Sequence, residues 1–82
     1  MWYIITCKQP RLNAVNIYHP RDCYKARDIA TQILNGTHIH GGAPCVHVQM
    51  WDSSGQLVRA RLCRTVSDVE SWLVDTVQMG GH

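Results

Sequence analysis

Eighty-two residues with a net charge of +2 and 45% hydrophobic side chains describe one small globular domain spanning 1–82. The balance excludes a disordered chain, which needs few apolar and many charged residues, whereas charged side chains make up only 17% here. It also excludes a dedicated polycation, because the sequence pI is about 8.5 and the Lys and Arg residues are not clustered.

The first element is a strand over residues 2–7, apolar and rich in β-prone side chains. Lys8-Gln9-Pro10-Arg11 should break it, since proline cannot donate to a ladder. Residues 13–18, from Asn13 to Tyr18, alternate as a second strand that His19-Pro20 closes. Ala26, Ile29, Ala30, Ile33 and Leu34 then recur at three- and four-residue steps and share one helix face. Pro20 suits a first turn and Asp22 the positive end of the helix dipole, and Asn35-Gly36 is a stop. Residues 37–44 read as a loop.

From Cys45 to Trp51 the chain alternates, with Val46, Val48 and Met50 opposed to His47, Gln49 and Trp51. Asp52-Ser53-Ser54-Gly55 is a hairpin turn, and Gln56 to Arg64 alternate again, with Val58, Ala60 and Leu62 opposed to Leu57, Arg59, Arg61 and Cys63. The last element is a helix over 67–78. Ser67 and Glu70 have capping-box spacing, and Val69, Trp72, Leu73 and Val77 form its apolar stripe. Gly80-Gly81-His82 reads as a frayed end.

Each half of the chain runs strand, strand, helix. Sliding Val15 onto Val58 brings Ala26 onto Val69, Ile29 onto Trp72, Ala30 onto Leu73 and Leu34 onto Val77. Tyr3, Ile5 and Cys7 then meet Val46, Val48 and Met50, which sets the former three inside and Trp2, Ile4 and Thr6 outside. The match is one of pattern and not of identity. The fold class is α+β, in the order ββαββα: a four-stranded, mostly antiparallel sheet with two helices packed on one face. The other face is open and should present Trp2, Ile4, His47, Gln49, Trp51, Arg59 and Arg61.

That open face is the leading candidate site, because exposed aromatic and guanidinium groups mark contact surfaces. Trp51, Arg59 and Arg61 are the expected contact centre, with His47 and Trp2 beside them. Protein interfaces are enriched in Trp, Tyr and Arg, and the contact includes a homodimer. A nucleic-acid partner ranks second: bases stack on such side chains, but no RNA-recognition consensus is present. A third reading is a metal-stabilised domain, with His38, His40, Cys45 and His47 as ligands, although their spacing departs from common zinc patterns. Cys45 and His47 are also close enough in sequence to suggest a thiolate nucleophile. The chain shows no paired carboxylates, no nucleophile elbow and no phosphate loop, so neither an enzyme nor a cofactor is expected.

No apolar run approaches the ~20 residues of a membrane span. Met1 to Lys8 lack the basic and apolar regions of a signal peptide, so the expected compartment is the cytoplasm. There Cys7, Cys23, Cys45 and Cys63 should be reduced thiols, acting mostly as small buried hydrophobes.

The short extended start Trp2–Cys7, the irregular second strand, the helix Tyr24–Leu34, the hairpin Val46–Arg61 and the end helix with Val69-Glu70-Ser71-Trp72-Leu73 together resemble a known group. The chain looks like the small phage-encoded anti-defence proteins, the type I anti-CRISPR inhibitors in particular. The resemblance is architectural and carries no binding residue with it. It implies a viral protein in the host bacterial cytoplasm that docks on a subunit of a CRISPR effector complex. Many members are acidic mimics of DNA; this chain is basic, which favours docking on an acidic protein surface instead.

Overall fold

A computed structural model describes residues 1–10 and 14–80. The expected strand start at Asn13, the Arg11 breaker and the frayed Gly81-His82 end lie outside the described residues. The elements are β1 (Trp2–Gln9), β2 (Ala14–Tyr18), α1 (Cys23–Asn35), β3 (Val46–Trp51), β4 (Leu57–Cys63) and α2 (Val66–Gln78). The strands form one antiparallel sheet in the order β2-β1-β3-β4, with both helices on one side. The ββαββα architecture read from the sequence is therefore present.

The two halves occupy equivalent places. β1 and β3 lie at the centre and β2 and β4 at the edges. Ile5 and Val48, which the sequence pattern superposes, are direct cross-strand partners, so the pattern corresponds to a pseudo-two-fold passing between them.

The core follows from alternation. Tyr3, Ile5 and Cys7 of β1 and Val46, Val48 and Met50 of β3 point towards the helices and are buried. Ala26, Ala30 and Ile33 of α1 and Val69, Trp72 and Leu73 of α2 close over them. The Tyr3 ring meets Trp72 edge-on with centroids 5.9 Å apart, and burial pushes the Tyr3 hydroxyl up to about 12. All four cysteines are thiols, and three of them, Cys7, Cys23 and Cys63, are buried.

Helix α1 begins at Asp22, whose carboxylate accepts the Lys25 N–H at 2.8 Å. Pro20 precedes the cap instead of occupying the first turn. Gly36 ends the helix in the left-handed region at φ 82°, where its N–H returns to the last turn. In α2 the capping box belongs to Thr65 and Asp68, and not to Ser67 and Glu70. Both pairs have the same spacing. The upstream pair wins because the Asp68 carboxylate also accepts the Arg64 N–H at 3.0 Å and faces the Arg61 guanidinium at 3.6 Å. These hydrogen bonds hold the Asp68 carboxyl below the usual carboxylate range.

Strand β1 does not break at Lys8. Gln9 continues the ladder opposite Ala14, and its side chain is fully buried. The burial is tolerated because the amide is satisfied on every side. Its oxygen accepts from Asn16 Nδ2 at 2.8 Å and from the Tyr18 hydroxyl at 2.6 Å. Its nitrogen donates to the Gly41 carbonyl at 2.8 Å and reaches His38 Nδ1 at 3.4 Å. Gln9 thus ties the outer strand β2 to the α1–β3 loop.

Candidate functional site

Among the described residues no helix packs on the second face of the sheet. Cross-strand register assigns it row by row. Ile17, Thr6, His47 and Leu62 form one row across all four strands. Ile4, Gln49 and Ala60 form the next, and Trp2, Trp51 and Leu57 the last. Val15 and Lys8 pair at the opposite end. Ile17 is 58% exposed and Leu62 47%, so the two edges of the face present aliphatic side chains to solvent.

The aromatic corner is ordered by hydrogen bonds. Trp2 and Trp51 stack with centroids 5.3 Å apart and planes 16° from parallel. Trp2 Nε1 donates to the Asp52 carbonyl at 3.0 Å, and Trp51 Nε1 donates to Gln49 Oε1 at 3.0 Å. The Gln49 amide nitrogen in turn lies 3.4 Å from His47 Nδ1. The turn below is built on Asp52, whose Oδ1 accepts from the backbone of Ser54 and Gln56 and from the Ser54 hydroxyl. Gly55 supplies the positive φ of 85° that this turn requires.

Trp2, His47 and Trp51 thus stand where the sequence placed them. Arg59 and Arg61 do not, and the expectation that they form the contact centre of the open face is corrected. Arg59 pairs with Met50 and Arg61 with Val48, so both point to the helix side. Arg59 Nη2 contacts Asp75 Oδ2 at 3.1 Å, and its Nη1 reaches Thr76 Oγ1 at 3.3 Å. Arg61 faces Asp68.

The cause is a bulge. The hairpin closes with Asp52 against Gln56 and Trp51 against Leu57, after which Val58 would oppose Met50. Instead Arg59 opposes Met50, and Val58 is an extra residue. A one-residue slip exchanges the faces of everything that follows. Val58, Ala60 and Leu62 turn outwards, and Arg59, Arg61 and Cys63 turn inwards to the acidic side chains of α2.

The metal candidates are separated as well. His38 and His40 lie together on the α1–β3 loop, with ring centroids 5.5 Å apart. The His38 ring packs edge-on against Tyr18, whereas His47 stands on the open face. Among the described residues no group of three or more His, Cys, Asp or Glu side chains is placed to hold a metal ion. The His47 ring nitrogen Nδ1 lies 3.4 Å from the Gln49 amide, and no hydrogen bond joins His47 to Cys45 among the described residues, as a thiolate nucleophile activated by that histidine would need. Burial, with a smaller contribution from Cys45, pushes the Cys7 thiol up, away from nucleophilic character.

Sequence reasoning missed the aliphatic share of the face. Val15, Ile17, Val58 and Leu62 are all exposed, and among the described residues Lys8 is the one charged side chain that strand pairing places on this face. The signal available was the alternation of each edge strand, whose apolar half, Val15 and Ile17 in β2 and Val58 and Leu62 in β4, suits an outer contact face as well as a core. No helix among the described residues is long and apolar enough to cross a membrane. No protein-family model, no curated protein and no solved structure matches the chain.

Proposed function

We propose that the protein is a non-enzymatic protein-binding module, of the inhibitor or adaptor kind, which docks through the open face of its sheet. The observation that supports this is the composition of that face. It joins a stacked pair of tryptophans to aliphatic side chains on both edge strands, with one cation at its rim. Such a mixture suits protein contact, where aromatic anchors and apolar side chains are desolvated together. A nucleic-acid backbone is the poorer fit, since phosphate binding relies on several Lys or Arg side chains on the contact surface. Arg59 and Arg61, which would have supplied them, are engaged by α2. The resemblance to type I anti-CRISPR inhibitors, read from the order of elements, adds a type I effector complex to the partners to try beside a second copy of the chain.

The test is site-specific photocrosslinking. A photoreactive residue at Ile17 or Leu62 should yield protein adducts in cells, whereas one at Val74, which is equally exposed but lies on α2, should not. Adducts at Val74 and none at the two sheet positions would reject the reading.

A further inference from the structure

We infer that the open face takes a second copy of this chain, the two sheets meeting face to face about a two-fold axis that runs along the strands between β1 and β3. The inference rests on the protein-binding reading of this face and names its occupant.

A two-fold axis in that position keeps each row of side chains at its own level and reverses the order of strands. β2 then lies over β4 of the second copy, and β1 over its β3. The rows suit this reversal. Ile17-Thr6-His47-Leu62 reads aliphatic, polar, polar, aliphatic, so Ile17 meets the other copy's Leu62 and Thr6 meets its His47. In the last row Trp2 of each copy covers Trp51 of the other, which joins two stacked pairs into one aromatic cluster. Lys8 stays at the far rim, so no like charges are forced together in the centre. A row that was aliphatic at one edge and charged at the other would not be self-complementary.

The size is adequate. Four strands ~4.8 Å apart and a face ~20 Å long, at ~3.3 Å per residue from Trp2 to Lys8, give a footprint of ~400 Å². With side-chain relief that is ~600–700 Å² of accessible surface per copy, or ~1,300 Å² for the pair, inside the range of stable interfaces. The sheets of β-sandwiches pack in this way, with interdigitating apolar faces and strands nearly aligned. The bulge at Val58 is consistent with it: the chain turns two arginines inwards and aliphatic side chains outwards, which suits a face that is covered in solution.

Sedimentation velocity and light scattering on the full chain should give twice the monomer mass of 9.3 kDa. Ile17→Asp alone and Leu62→Lys alone should each run as monomers, and an equimolar mixture of the two should recover the dimer. In that mixture one Asp–Lys contact and one native Ile17–Leu62 contact form across the axis, which other axes would not bring about. Circular dichroism of each variant checks that it is folded; if either is not, Ile17→Thr with Leu62→Thr, which should also be monomeric, replaces them. A wild-type chain that stays monomeric up to its solubility limit overturns the inference, as does a dimer unaffected by both substitutions or a mixture that stays monomeric. A monomer that still crosslinks another protein from Ile17 or Leu62 would refute the second copy while leaving the protein-binding reading intact.

Discussion

Replacing Gln9 by leucine should destabilise the domain by ~2–4 kcal/mol, although leucine fills nearly the same volume. The side chain is fully buried and makes three short hydrogen bonds, at 2.8 Å to Asn16, 2.6 Å to Tyr18 and 2.8 Å to Gly41. At about 1 kcal/mol net for each bond, their loss amounts to ~3 kcal/mol. Leucine returns about 1 kcal/mol through added apolar burial. The abandoned partners are half-buried, so water reaches them in part, and their desolvation penalty stays near the lower end, at ~1 kcal/mol or somewhat more. The whole domain is expected to be stable by only ~4–12 kcal/mol at this length, so the change is a large fraction of the total. Equilibrium unfolding in urea reads it directly: with a slope of ~1 kcal/mol/M for so small a chain, the midpoint should fall by ~2–4 M. A double-mutant cycle with Tyr18→Phe should show a coupling of ~1 kcal/mol between the two positions. A Gln9→Leu midpoint within ~0.5 M of wild type, or additive effects in the cycle, would show that the buried amide does not hold β2 and the α1–β3 loop together.

Two further predictions concern the helix side of the sheet. Arg59→Ala should lower stability by ~1–2 kcal/mol, because its stem covers the edge of the core as well as pairing with the half-exposed Asp75. Photocrosslinking from Leu62 should survive this substitution; unchanged unfolding together with lost crosslinking would put Arg59 back on the contact face. His38 should make stability depend on pH. Its Nδ1 already accepts the His40 N–H at 3.2 Å, and burial, then His40, lowers its pKa from the usual 6.5. The unfolded chain therefore binds the proton more readily, so the contribution is complete above pH 6.5 and is lost as the pH falls from there towards the lowered value. Substituting His38→Asn should flatten that part of the stability–pH curve, and an unaltered slope would contradict the assignment.

Local pattern was sufficient for the order of elements, the facing of β1 and β3, and the apolar stripes of both helices. Each of these depends on periodicity within a few residues: two for a strand, and three or four for a helix. The Trp2, His47 and Trp51 positions on the open face followed from the same alternation. Gln9 was not legible, because an amide beside a proline reads as a strand end, and its burial depends on Asn16 and Tyr18 of β2 and on Gly41 of the α1–β3 loop arriving from two other segments. The true capping box was equally hidden, since Thr65/Asp68 and Ser67/Glu70 have the same spacing and only the Arg64 N–H and the Arg61 guanidinium that meet Asp68 distinguish them.

The facing of β4 shows most clearly where local information stops. Both halves of its alternation are chemically acceptable as an inner surface on paper: Val58, Ala60 and Leu62 by hydrophobicity, Arg59, Arg61 and Cys63 by pairing with α2. The choice rests on one extra residue opposite Trp51 and on acidic side chains that α2 brings in from beyond the strand. Periodicity carries phase along a strand but not across a bulge, so it specified that β4 has two unlike faces. Which of them meets the helices was settled by long-range pairing, and with it the chemistry of the surface left for a partner.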